Sequence, residues 1–264
     1  MWLRRQGEPP AIIAHRGFSA AAPENTLAAI ELAIATGAVM VEVDVGFSAD
    51  EGLVLIHDDH LDRTTSGYGP VRAQPLEKLR ALDAGSWFAP RFAGEKIPLL
   101  EEALELVRGR IAINLEIKGE SVDDRRREQT AGEIDPNGIE ARVLREVRQR
   151  GLLDQVLFSS FHPLALWRLR RLEPAAQIAS LLHAPYHGGR RPEDILAEVG
   201  STALHVHDSE AQPELIEACA AAAIPLRVYT VNSPARFLAL APQAIDAVFT
   251  DDPAALQRAA ANFR

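Results

Sequence analysis

Apolar and polar positions alternate most sharply between Val39 and Asp58, where the chain reads VMVEVDVGFSADEGLVLIHD. In a β-strand this spacing puts Glu42 and Asp44 on one face, two residues apart. Two like charges on one face repel and resist desolvation, so the pair asks for a metal ion or a basic partner. Leu53 to Ile56 is a second short apolar run, ending in His57 and Asp58, and only the polar stretch Ser48 to Gly52 separates the two. That stretch is too short for a parallel crossover, which needs a dozen or more residues, and it predicts an antiparallel hairpin. A two-residue turn at Asp50 and Glu51 makes Asp44 and His57 direct cross-strand partners, whereas a three-residue loop closing on Gly52 puts them on opposite faces. We expect the first, because it gathers acids and histidine into one site.

Elsewhere the pattern alternates between buried strands and amphipathic helices. Ala11 to Ala14 is a strand run ending in His15-Arg16-Gly17, and a helix follows, with Asn25 or Thr26 as N-cap and Gly37 after its end. Leu61 to Pro98 reads as an irregular excursion with a helix over Gln74 to Leu82; long loops of this kind are usually functional. Helix Leu99 to Arg108 then leads to strand Ile111 to Lys118, helix Gly138 to Arg150 to strand Val156 to Phe161, and helix Pro163 to Leu172 to strand Gln177 to Leu182. Helix Pro192 to Val199 leads to strand Ala203 to His207, helix Pro213 to Ala223 to strand Leu226 to Val231, and helix Pro234 to Leu240 to strand Ala247 to Thr250. Pro253 to Ala261 is the closing helix.

Eight strand centres, each followed by a helix, predict a (β/α)₈ TIM barrel with a β-hairpin extension and a small insertion after strand 2. A doubly wound open sheet would want a glycine-rich phosphate turn after the first strand, and none is there. We expect one domain over residues 1–264, with the insertion at about 61–98.

The 264 residues are 47% hydrophobic and 25% charged, enough for a sizeable core. A formal net charge of −9 argues against a nucleic-acid partner, and the Arg125-Arg126-Arg127 run, flanked by Asp123, Asp124 and Glu128, reads as a solvated face. Cys219, the single cysteine, excludes an intrachain disulfide, reads as a small buried residue, and makes the cytoplasm the expected compartment. The start has no apolar leader, and no run is long and apolar enough to suggest a transmembrane segment.

Catalytic groups of such barrels lie at the C-terminal ends of the strands. His15-Arg16, Glu42-x-Asp44, His57-Asp58 and Glu116-x-Lys118 all fall there, a concentration of charge that a packed interior would not tolerate without function. Individually these groups have structural readings: Lys118 pairs with Glu116 or Asp44, and Arg16 bridges to Glu24. Their convergence on one rim favours a site.

His15-Arg16-Gly17, Pro23-Glu24-Asn25-Thr26, Glu42-x-Asp44, His57-Asp58, Leu61-Asp62-Arg63-Thr64-Thr65 and Leu115-Glu116-Ile117-Lys118 together resemble the signature of the glycerophosphodiester phosphodiesterase family. Leu82 to Phe88, Ile97 to Glu102, Ser159-Ser160-Phe161, Tyr229 to Asn232 and Thr250 to Pro253 agree with it, so the similarity runs from about Ile12 to the end. The family is built on a (β/α)₈ barrel. The resemblance implies that Glu42, Asp44 and Glu116 ligate one divalent cation, Mg²⁺ or Ca²⁺, as suits an all-oxygen site. It implies that His15 and His57 are the general acid and base, and that Arg16 and Lys118 hold the phosphate. Tyr229 stands where many relatives carry tryptophan and would supply an aromatic wall to the substrate. The activity implied is metal-dependent hydrolysis of a small-molecule glycerophosphodiester to sn-glycerol 3-phosphate and an alcohol. Lyase-like release of a cyclic phosphate, lysophospholipase D-type cleavage and a silent phospho-ligand-binding barrel are the alternatives. His162, His205 and His207 stay outside the catalytic set.

Overall fold

The computed structural model describes residues 8–122, 134–182 and 190–262. Its strands are β1 (Ala11–Ala14), β2 (Met40–Phe47), β3 (Leu53–Leu55), β4 (Ala112–Ile117), β5 (Val156–Ser160), β6 (Gln177–Leu182), β7 (Ala203–His207), β8 (Leu226–Tyr229) and β9 (Ala247–Thr250). All but β3 run parallel in the order β1-β9-β8-β7-β6-β5-β4-β2, and β1 pairs with β2 to close the barrel. β3 is the extra strand, antiparallel to β2.

Helices α1 (Leu27–Thr36), α3 (Leu100–Val107), α4 (Ile139–Gln149), α5 (Pro163–Leu172), α6 (Pro192–Val199), α7 (Pro213–Ala221), α8 (Pro234–Leu240) and α9 (Pro253–Ala261) cover the barrel, and α2 (Leu76–Ala81) belongs to the excursion after β3. Proline opens five of the covering helices, where its missing N–H costs no hydrogen bond and its fixed φ suits the first turn. Thr26, the N-cap of α1, accepts from Ala29 N, and Gly37 ends that helix in the left-handed region. The Arg125–Arg127 run lies outside the described residues.

Each barrel strand is buried on both faces, and the alternation sorts its side chains. Val41, Val43 and Val45 of β2 pack outward against α1 and α3 in the main core, with Ile30, Leu100 and Leu104. Met40 joins the barrel interior with Ile13, Ala112, Leu157, Ala179, Ala203, Ala247 and Phe249. Glu42 and Asp44, at the same parity as Met40, face the interior toward its C-terminal end.

The hairpin corrects one expectation. Val45 pairs with Leu55, Gly46 with Val54 and Phe47 with Leu53, so Ile56, not His57, stands opposite Asp44. The loop is the three-residue one, Ala49-Asp50-Glu51, closing on Gly52. Ser48 N donates to Gly52 O (2.9 Å), Ser48 Oγ accepts from Gly52 N (2.7 Å) and donates to Asp50 Oδ1 (2.6 Å). Glu51 takes φ +63°, the left-handed conformation this loop needs in its last position. His57 nevertheless reaches the site, because the chain bends away after Ile56 and strand alternation no longer governs its direction.

The excursion has a small core of its own. Val54, Ile56, Leu61, Val71, Leu79, Ala84 and Ile97 pack together beneath it, and Asp83 ties its turns by accepting from the backbone of Gly85, Ser86 and Gly94. No helix among the described residues is long and apolar enough to cross a membrane.

Candidate active site

Three carboxylates converge at the C-terminal end of β2 and β4. Asp44 is in register with Glu116 across the parallel ladder, and Glu42 with Asn114, so all lie on the interior face. Glu42, Asp44 and Glu116 each offer an oxygen within 4.8 Å of the others. Such a cluster is electrostatically costly, and the carboxyl groups respond. Burial, reinforced by Asp44 and Glu116, pushes Glu42 well above the usual carboxylate range. Burial and then Asp44 push Glu116 up to about 7. Burial would raise Asp44 too, but Lys118 and Arg16, joined by the Asn25 hydrogen bond, hold this carboxyl below its ordinary value.

Those two cations are close. Lys118 Nζ lies 3.6 Å from Asp44 Oδ1 and 3.4 Å from Glu116 Oε1, and Arg16 Nε lies 3.5 Å from Asp44 Oδ2. Asn25 Nδ2 donates to Asp44 Oδ2 (2.8 Å) and Asn25 Oδ1 accepts from Asp44 N (3.0 Å), fixing the carboxylate plane. The backbone N–H of Arg16 donates to Glu42 Oε2 (2.8 Å), whereas Glu42 Oε1 is buried without a hydrogen-bond partner.

This donor set fits a hard cation. Carboxylate oxygens from three interior side chains, one of them left without a protein donor, are what a divalent ion with oxygen ligands takes. A cation there would also relieve the mutual repulsion that raises Glu42 and Glu116.

The turn after β1 requires its motif. Arg16 and Gly17 both have positive φ (+55° and +84°), and a Cβ on Gly17 would come within 2.6 Å of Ala29. Glycine at 17 lets α1 approach and aims the Arg16 N–H at Glu42. The Arg16 side chain donates from Nη1 to Glu24 Oε1 (2.8 Å), and Arg63 clasps both oxygens of Glu24 at 2.8 Å.

His15 and His57 each have Nδ1 2.7 Å from a carboxylate oxygen, His15 from Asp251 and His57 from Asp58. Asp251 accepts further from Asn232 Nδ2 (2.6 Å) and Ser19 Oγ (3.2 Å). Asp58 accepts a fork from Arg63, which holds it far below the usual carboxylate range. With Nδ1–H donating to a carboxylate, each ring keeps Nε2 for other work.

Both rings line one cavity of about 240 Å³ with Arg16, Glu42 and Glu116. Its other wall is apolar and aromatic: Phe161, Leu181, Tyr229 and Phe249, with His207. Tyr229 OH donates to Leu182 O (2.8 Å), and its ring meets Phe161, His207 and Phe249 edge-on. Lys118 opens instead onto a smaller adjoining cavity that also touches His57 and Asp58.

All eight sequence-predicted residues therefore gather at one end of the barrel. His207 belongs to the same wall, but His205 is buried below it, where Arg227 Nη1 donates to its Nε2 (3.1 Å), and His162 precedes α5. Sequence reasoning offered Asn25 only as a helix cap, a part Thr26 takes, and assigned no part to Asp58, Arg63 or Asp251. All four sit inside quoted motifs, which was the available signal, but the sequence does not say that Asp251 meets His15, which it does because β9 pairs with β1.

The glycerophosphoryl diester phosphodiesterase family model matches residues 15–255. A glycerophosphodiester phosphodiesterase of Caldanaerobacter subterraneus is 34% identical over 250 residues, spanning 93% of this chain and 95% of that protein. A phosphodiesterase of Oleispira antarctica, solved in complex with the product sn-glycerol-3-phosphate, superimposes with a TM-score of 0.84 at 35% identity, covering 95% and 96% of the two chains. A glycerophosphodiester phosphodiesterase of Agrobacterium tumefaciens gives 0.78 at 31%, covering 94% and 99%. On the barrel, the site and these likenesses together, the chain belongs to the glycerophosphoryl diester phosphodiesterase family.

Proposed function

We propose that this chain hydrolyses glycerophosphodiesters to sn-glycerol 3-phosphate and an alcohol, with His15 and His57 as the acid–base pair and one divalent cation, Mg²⁺ or Ca²⁺, held by Glu42, Asp44 and Glu116. The observation that carries this reading is the meeting, in one cavity, of two carboxylate-oriented histidines with Glu42 and Glu116, two members of a three-carboxylate cluster. We take residues 1–264 as one catalytic domain and residues 61–98 as its insertion. We take the cytoplasm as its compartment, on the ground that the lone thiol, Cys219, is buried and needs no oxidising environment.

Arg16 and Lys118 bind the phosphodiester, Arg16 with a planar fork suited to two phosphoryl oxygens and Lys118 as a point charge. Glu42, Asp44 and Glu116 would hold the divalent ion, which would supply positive charge to offset that of the phosphodiester. One histidine takes the proton of the attacking hydroxyl on Nε2 as the new oxygen–phosphorus bond forms. The other gives its Nε2 proton to the alcohol oxygen as the old bond breaks; where the substrate's own neighbouring hydroxyl attacks, water then opens the cyclic phosphate with the two roles exchanged, and where water attacks directly, proton exchange with solvent resets the pair. Asp251 and Asp58 hold the two imidazoles by their Nδ1–H groups throughout. Tyr229, with Phe161 and Phe249, walls the non-reacting part of the substrate and keeps water away from it.

The test is release of glycerol 3-phosphate from glycerophosphocholine and glycerophosphoglycerol by chelator-stripped protein, with Mg²⁺ or Ca²⁺ added back. Activity that appears only with a restored ion supports the reading. Folded protein inactive with both ions on both substrates overturns it.

A further inference from the structure

Arg63 lies outside the barrel, in the excursion after β3, with 46% of its side chain exposed. Its guanidinium nevertheless makes four hydrogen bonds to two carboxylates. Nε and Nη2 donate to the two oxygens of Asp58 (2.6 and 2.9 Å), and Nη1 and Nη2 donate to the two oxygens of Glu24 (2.8 Å each). Each carboxylate has one further task. Asp58 Oδ1 accepts from His57 Nδ1 (2.7 Å), and Glu24 Oε1 accepts from Arg16 Nη1 (2.8 Å).

Half-exposed ion pairs contribute little to folding, so stability alone is a poor reason for so complete a fork. Its geometric result is specific. His57 follows β3 and Arg16 follows β1, and no hydrogen bond or ion pair between the two side chains is seen among the described residues. Arg63 joins them at two removes through one rigid plane, His57–Asp58–Arg63–Glu24–Arg16.

We propose that Arg63 is a positioning residue that sets His57 through Asp58 and Arg16 through Glu24 at the same time, so that a proton-transfer group and a phosphate-binding group are held in register. The proposal rests on the acid–base and phosphate roles given above. Without the guanidinium, Asp58 is free to turn from His57 Nδ1, and the ring loses the bond that keeps its proton on Nδ1 and its Nε2 available. Glu24 is likewise free to turn, and Arg16 loses the anchor opposite Asp44. Lysine at 63 would keep the charge but cannot form two bidentate forks.

The experiment compares the parent with Arg63→Ala and Arg63→Lys, with Mg²⁺ present and glycerophosphocholine as substrate. The expected result is a fall in kcat of about 100-fold in both variants, the order that a misplacement near 1 Å produces, together with a raised KM. Mg²⁺ binding, read by the thermal shift on adding the ion, is retained, because none of the three carboxylates touches Arg63. Added guanidinium restores turnover to Arg63→Ala and leaves the parent unchanged. Nitrogen-15 NMR of the parent shows His57 as the Nδ1–H tautomer, and this share falls in both variants. If Arg63→Ala does not fold, Arg63→Lys carries the same kinetic and NMR readings. Turnover within about threefold of the parent, short of the tenfold that 1.4 kcal/mol represents, overturns the proposal. So does a loss that guanidinium fails to rescue and that leaves the His57 tautomer unchanged. An inactive parent would instead overturn the functional reading, and the tautomer comparison would still decide the role of Arg63.

Discussion

Asp44 and Glu116 stand directly opposite each other on adjacent parallel strands, with Lys118 Nζ 3.6 Å from the first carboxylate and 3.4 Å from the second. One ammonium cannot neutralise both and Glu42 as well. Burial and then mutual repulsion push Glu42 and Glu116 up, while Lys118 and Arg16 hold Asp44 below its ordinary value.

A pH dependence follows. Glu116 has a folded-state value of about 7 against an ordinary 4.5, and Glu42 moves in the same direction. An acid raised by folding adds stability that is full below its unfolded value and is lost as pH rises through the folded one. The metal-free protein should therefore lose stability from this site between pH 4.5 and about 7. A cation binds the deprotonated cluster, so the gain in Tm on adding Mg²⁺ or Ca²⁺ should grow over that interval. Scanning calorimetry with and without the ion checks this, and a gain independent of pH would contradict it.

Asp251 is bound to His15 and held in turn by Asn232 and Ser19. Asp251→Asn keeps the shape but removes the negative charge that faces His15 Nδ1. Turnover should fall by roughly 100-fold, the lower range of general acid–base contributions, with metal binding retained. Steady-state kinetics beside a metal titration measures both.

Arg227 is buried in the barrel below the site, where its Nε donates to Asp246 Oδ2 (3.0 Å) and its Nη1 to His205. Burial, then Arg227, keeps His205 well below its ordinary value and hence neutral. Asp246→Asn removes the counter-charge of a buried guanidinium, and breaking such a pair costs about 3–5 kcal/mol. Denaturant unfolding should show that loss, while the enzyme that remains folded keeps its KM because neither residue lines the cavity.

The strands and most helices were legible because periodicity and proline positions agree. α5, α6, α8 and α9 begin and end where the pattern puts them, as do β6, β7 and β9. The acids on β2 and β4 were legible for the same reason: alternation fixes a strand residue's face without knowledge of its neighbours. The hairpin register was not, because it is decided by Ser48 and Asp50 side chains and by Glu51 in a left-handed conformation that the sequence does not announce. The partner of His15 and the fork of Arg63 were hidden by distance. His15 and Asp251 are 236 positions apart and meet through barrel closure, and Arg63 reaches Glu24 across 39.

The central claim divides the site into groups that hold a cation and groups that move protons. Its most direct test is Mg²⁺ titration by calorimetry and turnover of glycerophosphocholine on the same preparations of the parent, Glu116→Gln and His57→Ala. Glu116→Gln should lose Mg²⁺ binding and activity together. His57→Ala should bind Mg²⁺ as the parent does while turnover falls by 10²–10⁴-fold, roughly the worth of a general acid or base. Near-parental turnover in His57→Ala, or undiminished Mg²⁺ binding in Glu116→Gln, would contradict the division.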